Sequence, residues 1–354
     1  AAEFADELDT LGVRVANLEK KADNVKITGE IRYHYTDSND DFDGYESRLR
    51  SRIWVKGQIN DDWAYTGMIQ NEQKFNDEYA DKAEEDTKFQ RAYINGKLGG
   101  VKVQAGRYNL NLVDGNIYDE RFDGVQASYG KDIKLTAGYG KATPSGVTSQ
   151  TWKDTYQATK LHTETFTKTN DSDEVYYAEL SGKMGKLGLA AGYYSFNDVE
   201  SNYTDSYVDT DNKVKTWASE DYKDDLDIYT VGATYAFDKN VTLGATYLKG
   251  EDSFAGESVD DDGYVVKATY KGAKASDPGS WGLVARYYDQ GVTTYMNHTM
   301  NGKADGMFGF KGYSVFANYT FAKNIVGQVE YYDLEEKEGN RESETIWSQL
   351  LFTF

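Results

Sequence analysis

Arg48, Arg50 and Arg52 recur at every second position of YESRLRSRIWVKG (45–57). In an extended chain this spacing stacks three guanidinium groups on one face as a ladder. Leu49, Ile53 and Val55 take the other face. Arg32 in VKITGEIRYHY (25–35) shares the ladder's side, as do Lys26, Arg91 and Lys102 on neighbouring segments. Such a wall does electrostatic work rather than bond-making: beside a narrow water-filled passage it acts on every ion that goes by. The same arginines could equally be ordinary wall charges paired with Glu30 and Glu46.

Other chemistries find little support. There is no Cys, which excludes disulfides, thiolate metal sites and Cys nucleophiles. The three His stand apart at 34, 162 and 298, so no His cluster or local Ser/His motif exists. NDDFDGYESRLR (39–50) starts like a calcium loop, with Asn39, Asp41, Asp43 and Gly44, but its twelfth position is Arg50 where a bidentate Glu is needed. The expectation is a non-enzymatic chain with no cofactor and only adventitious divalent cations at acidic loops. Lys+Arg is 39 against Asp+Glu 59, a formal charge of −20, which argues against nucleic-acid binding.

The elements that must carry the ladder follow from the residue period. From Asn24 onward it is two: IKLTAGY (133–139), VTLGATY (241–247), WGLVARY (281–287), VGQVEYY (326–332) and TIWSQLLFTF (345–354) all alternate. Connections also alternate. Seven are short, at 59–61, 98–100, 130–132, 183–186, 237–240, 271–279 and 321–324. Eight are long and acidic, at about 36–44, 73–87, 109–120, 140–173, 195–224, 250–259, 290–310 and 334–341. Fifteen connections join sixteen strands, an even number with one short-turn rim and one long-loop rim.

No run approaches the roughly 18 apolar residues of a membrane helix, and mean hydropathy is −0.73. Yet 30 Tyr, 15 Phe and 6 Trp gather near strand ends, as in Tyr33, Tyr139, Tyr247, Tyr287, Tyr319 and Tyr331. Aromatic belts at two membrane interfaces give that distribution. A soluble sandwich also alternates but seldom has two unlike rims. The reading is an all-β membrane protein, a 16-stranded antiparallel transmembrane barrel over 24–354. If Leu49, Ile53 and Val55 face lipid, the ladder faces the lumen. The reverse would put three guanidinium groups in hydrocarbon at roughly 2–4 kcal/mol each near the midplane.

A different period precedes the barrel. Phe4, Leu8, Leu11, Val15, Leu18 and Ala22 are spaced alternately four and three apart, a heptad seam. Residues 1–23 are expected to form a coiled-coil stalk helix. A helix of this length cannot bury its stripe alone, so the seam calls for copies of itself or another surface.

Together these residues resemble a known family. GRYNLNLVDGNIYDERFDGVQASYG (106–130) is similar to the third strand pair and inward-folding loop of trimeric bacterial porins, and YAFDKNVTLGATYLKG, YTFAKNIVGQVEYYD and the terminal Phe354 fit the same picture. LGVRVANLEKKADNVKITGEIRYHY (11–35) resembles the major porins of the Negativicutes, which carry an S-layer-homology domain that grips peptidoglycan, then a stalk, then a barrel. The resemblance implies a homotrimer in the bacterial outer membrane, a periplasmic stalk, diffusion of small hydrophilic solutes and ions, and no cofactor. Peptidoglycan would be a partner only through the anchoring domain, which residues 1–354 do not include. Outer-wall residues near Val25, Ala92 and Ile94 would contribute the contact between barrels.

The resemblance also implies that Asn109–Glu120 folds into the lumen, where Asp114, Asp119 and Glu120 would face the arginine wall. Arg48 and Arg50 are then expected at the constriction. At about a dozen residues the segment is shorter than 140–173 and 195–224, either of which could be the plug instead. Screening over about 8 Å at physiological salt makes neck charges outweigh those of a wide mouth, so selectivity should be weak. A substrate-specific channel would want a continuous inner aromatic slide, for which the inward Trp54 and Trp347 are too few. The other alternative is an outer membrane–peptidoglycan tether whose barrel is mainly an anchor.

Overall fold

A computed structural model describes residues 24–75, 87–143, 147–157, 160–254, 256–339 and 341–354, together with Leu11. Leu11 is helical and exposed; the rest of the seam, Phe4, Leu8, Val15, Leu18 and Ala22, lies outside the described residues.

Sixteen antiparallel strands form a closed wall. They are β1 (Val25–Ser38), β2 (Gly44–Gln58), β3 (Trp63–Lys74), β4 (Lys88–Leu98), β5 (Val101–Leu112), β6 (Tyr118–Gly130), β7 (Ile133–Ala142) and β8 (Ser172–Met184). Then come β9 (Leu187–Val208), β10 (Val214–Ala236), β11 (Val241–Lys249), β12 (Asp262–Lys271), β13 (Trp281–Gln290), β14 (Phe310–Ala322), β15 (Ile325–Glu336) and β16 (Glu342–Thr353). Tyr33 on β1 lies opposite Leu49 on β2 and Leu350 on β16, so the first strand closes on the last. Closure satisfies every strand edge, the condition for an all-β wall in lipid.

The period-two pattern sorts residues to the two faces. Tyr229 and Tyr235 on β10, Tyr264 and Tyr270 on β12, and Tyr313 and Tyr319 on β14 point outward and are exposed. Between the members of each pair stand only Val231 and Ala233, Val266 and Ala268, or Val315 and Ala317 on that face. Two aromatic belts thus bracket an apolar band. Neighbouring belt rings touch, with Tyr193 and Tyr229 centroids 5.0 Å apart.

Two long segments differ from the sequence reading. The stretch 195–224 is not an open loop: β9 and β10 stay paired from Leu187 opposite Tyr235 to Val208 opposite Val214. Within 140–173 a hairpin forms from Val147–Gln157 and Lys160–Thr169, and its second strand pairs with the upper half of β9. It is not part of the wall, because β7 pairs directly with β8, Tyr139 facing Tyr176. Both stretches are polar on either face, which reads as loop; once the wall aligns them, the backbone ladder simply continues upward.

The core sits inside the barrel. Tyr108, Leu110, Leu112, Ile117, Tyr118 and Phe122 are buried against Tyr177, Tyr194, Phe196 and a second inward segment, 291–309. Of the proposed inward segment 109–120, residues through Leu112 and from Tyr118 are strand, and 113–117 makes the turn. That turn is tight: Val113, Asp114 and Gly115 all have positive φ, at 55°, 58° and 81°. A β-branched residue there is strained, and neighbouring contacts must hold it.

Candidate functional site

The arginine wall is built by register. Across β1, β2 and β3 the lumen-facing rows read His34–Arg48–Lys74, Arg32–Arg50–Glu72 and Glu30–Arg52–Gln70. Carboxylates interleave with guanidiniums. Arg48 lies 2.6 Å from Glu46 and 2.5 Å from Glu72. Glu30 is shared, 3.5 Å from Arg50 and 3.3 Å from Arg52, and Arg52 Nε donates to Gln70 at 2.7 Å. Arg32 and Arg50 stand directly opposite, and the Nε of each is buried without a hydrogen-bond partner. Like charges so placed repel, and the shared carboxylates offset this.

Arg91 on β4 ties this wall to the inward turn. Its side chain, 6 % exposed, lies 3.6 Å from Glu120 and donates to Asn109 Oδ1 at 2.6 Å. Asn109 Nδ2 donates to Asp119 Oδ1 at 2.6 Å, and Thr299 Oγ1 donates to Asp119 Oδ2 at 2.5 Å. At its tip, Asp114 pairs with Lys267 on β12 at 2.5 Å, eight strands round from β4. The turn therefore spans the lumen from one wall to the other.

The second inward segment lies against the first. Met296 and Asn297 N–H groups donate to the Ile117 carbonyl at 2.9 and 3.0 Å, and Thr299 N–H donates to the Gly115 carbonyl at 2.9 Å. A Cβ on Gly115 would lie 2.4 Å from Thr299 Cβ, so the approach needs glycine there. Tyr295, His298 and Phe310 pack ring edge to face within 6.4 Å. Burial holds the His298 imidazole down at about 3, hence neutral, and pushes the Asp305 carboxyl up to about 6 although it accepts from the His298 backbone N–H at 3.3 Å.

The structure thus brings Arg32, Arg48, Arg50 and Arg52 together on one wall and sets Arg91 against Glu120 and, through Asn109, Asp119. Asp114 does not meet that wall but pairs with Lys267 across the lumen. Lys102 faces Lys97 at the short-turn rim, away from the ladder. Sequence reasoning missed Glu72, Gln70, Lys267 and the inward path of 291–309, and it placed Asn109 in the inward segment without a role. The inward path had a signal: YMNHTMNGKADGMFGF (295–310) puts Met and Phe in an otherwise polar connection, and such residues in a loop mark burial. The acidic run Asp260, Asp261 and Asp262 forms a carboxylate group close enough to share a cation, but Lys337 lies 2.6 Å from Asp260 and Lys249 lies 2.5 Å from Asp261.

No family model and no curated protein matches the chain. Solved structures do. A five-substitution variant of the Rh. blastica porin matches with TM-score 0.52 at 13% identity, covering 93% of this chain and 100% of that one. Salmonella typhi OmpF, in complex with daunomycin, matches with TM-score 0.55 at 12% identity over 93% and 97%. A loop-deletion variant of OmpT, an outer membrane protein of Vibrio cholerae, matches with TM-score 0.54 at 17% identity over 93% and 99%. The chain therefore shares the closed sixteen-stranded antiparallel barrel of these porins.

Proposed function

We propose that this chain is a non-enzymatic outer-membrane porin that passes small hydrophilic solutes and ions through a charged constriction. The observation that carries the reading is the turn 113–117, held from Arg91 on one side to Lys267 on the other, beside an arginine ladder. Oppositely charged groups across a narrow passage act on solutes by charge and dipole. Because each ladder arginine except Arg32 has a carboxylate within 3.5 Å, the neck is nearly balanced, which supports weak selectivity despite the net −20.

The functional unit in this proposal is a trimer with a periplasmic stalk, of the Negativicutes kind. Support for the stalk and that affiliation comes from residues 1–35. Support for assembly comes from the outer wall. On β2 to β6 it carries Ser51, Asn71 and a bidentate Arg107–Asp123 pair at 2.6 and 2.5 Å. Charges on a lipid-facing wall are destabilising, and a second copy of the chain on this face removes them from lipid.

Purified chain in a planar bilayer tests the proposal. Stepwise conductance in KCl, with a reversal potential well short of the ideal cation value across a salt gradient, is the expected outcome. No conductance steps, or near-ideal cation selectivity, overturns it.

A further inference from the structure

The ladder is not the most unbalanced charge in the lumen. At the short-turn rim Lys26 faces Lys56 across β1 and β2, and Lys97 faces Lys102 across β4 and β5. All four line one recess of about 670 Å³ on the inner wall. None of them is in an ion pair among the described residues. Asp62 is the one carboxylate lining the recess, whereas the ladder has Glu30, Glu46 and Glu72. Amide side chains flank the Lys97–Lys102 pair, Asn95 opposite Gln104 and Gln104 opposite Gln126, while β3, which runs between the two lysine pairs, gives the recess Ala64 and Thr66.

All four lysines are exposed, and two features make them more than scattered surface charges. Like charges directly opposite on adjacent strands destabilise the pairing, and here it happens twice. No carboxylate among the described residues pairs with these lysines to relieve the repulsion. The geometry also sets the size of a matching anion. Lys56 stands opposite Thr66 and Thr66 opposite Tyr93, four residues along β4 from Lys97. Two strand spacings and that offset put the pairs ~16 Å apart. One singly charged ion cannot meet both, while an anion with several charged groups, reached by long lysine stems, can. Ammonium groups on flexible stems serve as point-charge phosphate binders, and amides supply further donors.

We propose that this recess binds a polyvalent, phosphate-bearing anion, so that such solutes have a saturable site at the short-turn mouth. The inference rests on the porin reading and names a solute class for it.

The probe is tripolyphosphate, applied to either side of the full chain in a planar bilayer. In KCl near ~0.1 M, where the screening length is about 10 Å, it should reduce the current from the short-turn side. The Lys26→Gln, Lys56→Gln, Lys97→Gln, Lys102→Gln variant should need roughly tenfold more for half-block, with KCl conductance retained. Citrate in a parallel arm separates phosphate from carboxylate: equal block by citrate overturns the phosphate preference. Identical half-block in the two proteins, or none in the wild type, overturns the site. If the quadruple variant fails to insert, the two pairwise variants, Lys26→Gln/Lys56→Gln and Lys97→Gln/Lys102→Gln, carry the same comparison. Absence of any KCl conductance in the wild type is a failure of the porin reading instead.

Discussion

Arg91 on β4 lies 3.6 Å from Glu120 on β6, inside the barrel. This contact joins the charged wall to the segment that crosses the lumen. Replacing Arg91 by Gln removes a buried cation and its contacts to Glu120, Asn109 and the Gln90 carbonyl, leaving Glu120 facing the passage. The expected outcome is a shift toward cations and a loss of about 1–3 kcal/mol in anchoring the turn. Reversal potential across a KCl gradient, with hydrogen exchange over 109–120, reads both; an unchanged reversal potential contradicts the placement at the neck.

Arg48 and Arg50 act with partners. Changing both to Ala removes two positive charges and leaves Glu46, Glu72 and Glu30 with fewer cations to balance them. Single-channel conductance should rise and the K⁺ over Cl⁻ permeability ratio should grow on the order of severalfold. Folding should hold, because the wall is carried by backbone bonds. Unaltered conductance and ion preference would show that these are locally paired wall charges away from the neck.

Asp114 reaches Lys267 from 153 residues away. Both side chains keep some solvent, so the pair contributes ~0.2–1 kcal/mol, too little to unfold the barrel. Asp114→Asn should free the tip of the turn and increase open-channel current noise, with mean conductance little changed. Noise spectra matching the wild type would mean that packing on 291–309 alone fixes the turn.

Asp305 gives a pH dependence of definite sign. Burial raises its carboxyl from 3.8 to about 6. The folded state therefore holds the proton more firmly than the unfolded one, so its contribution is present below 3.8 and is lost as pH rises through about 6. Asp305→Asn keeps an acceptor for the His298 backbone N–H and removes the titration. Hydrogen-exchange protection of 291–309, corrected for intrinsic rates, should favour the Asn variant increasingly from pH ~4 to ~6 and then stay level. A difference independent of pH would assign no buried charge to Asp305.

Removing residues 1–22 should leave the barrel trimeric, since roughly three heptads bury far less than a barrel–barrel face. Native mass spectrometry in detergent checks this; monomers would put assembly in the stalk.

How much of this was legible beforehand depends on whether the cause is local. Alternation with a period of two assigns each strand residue to a face without knowing its neighbours, so Tyr139 and Tyr247 outward and Arg48, Arg50 and Arg52 inward were readable from spacing. Strand number and the two unlike rims followed from counting connections, since each is a contiguous stretch. Pairings across the lumen are not local. Nothing in NLVDGN (111–116) says that Asp114 will meet Lys267 rather than an arginine, because that depends on barrel circumference and on where β12 falls around it. Likewise the polar stretches of β9 and β10 become strand only because the wall below sets their register. The segment 291–309 turns inward because its Met and Phe side chains need burial, and the lumen beside 113–117, itself a product of closure, is the place that offers it.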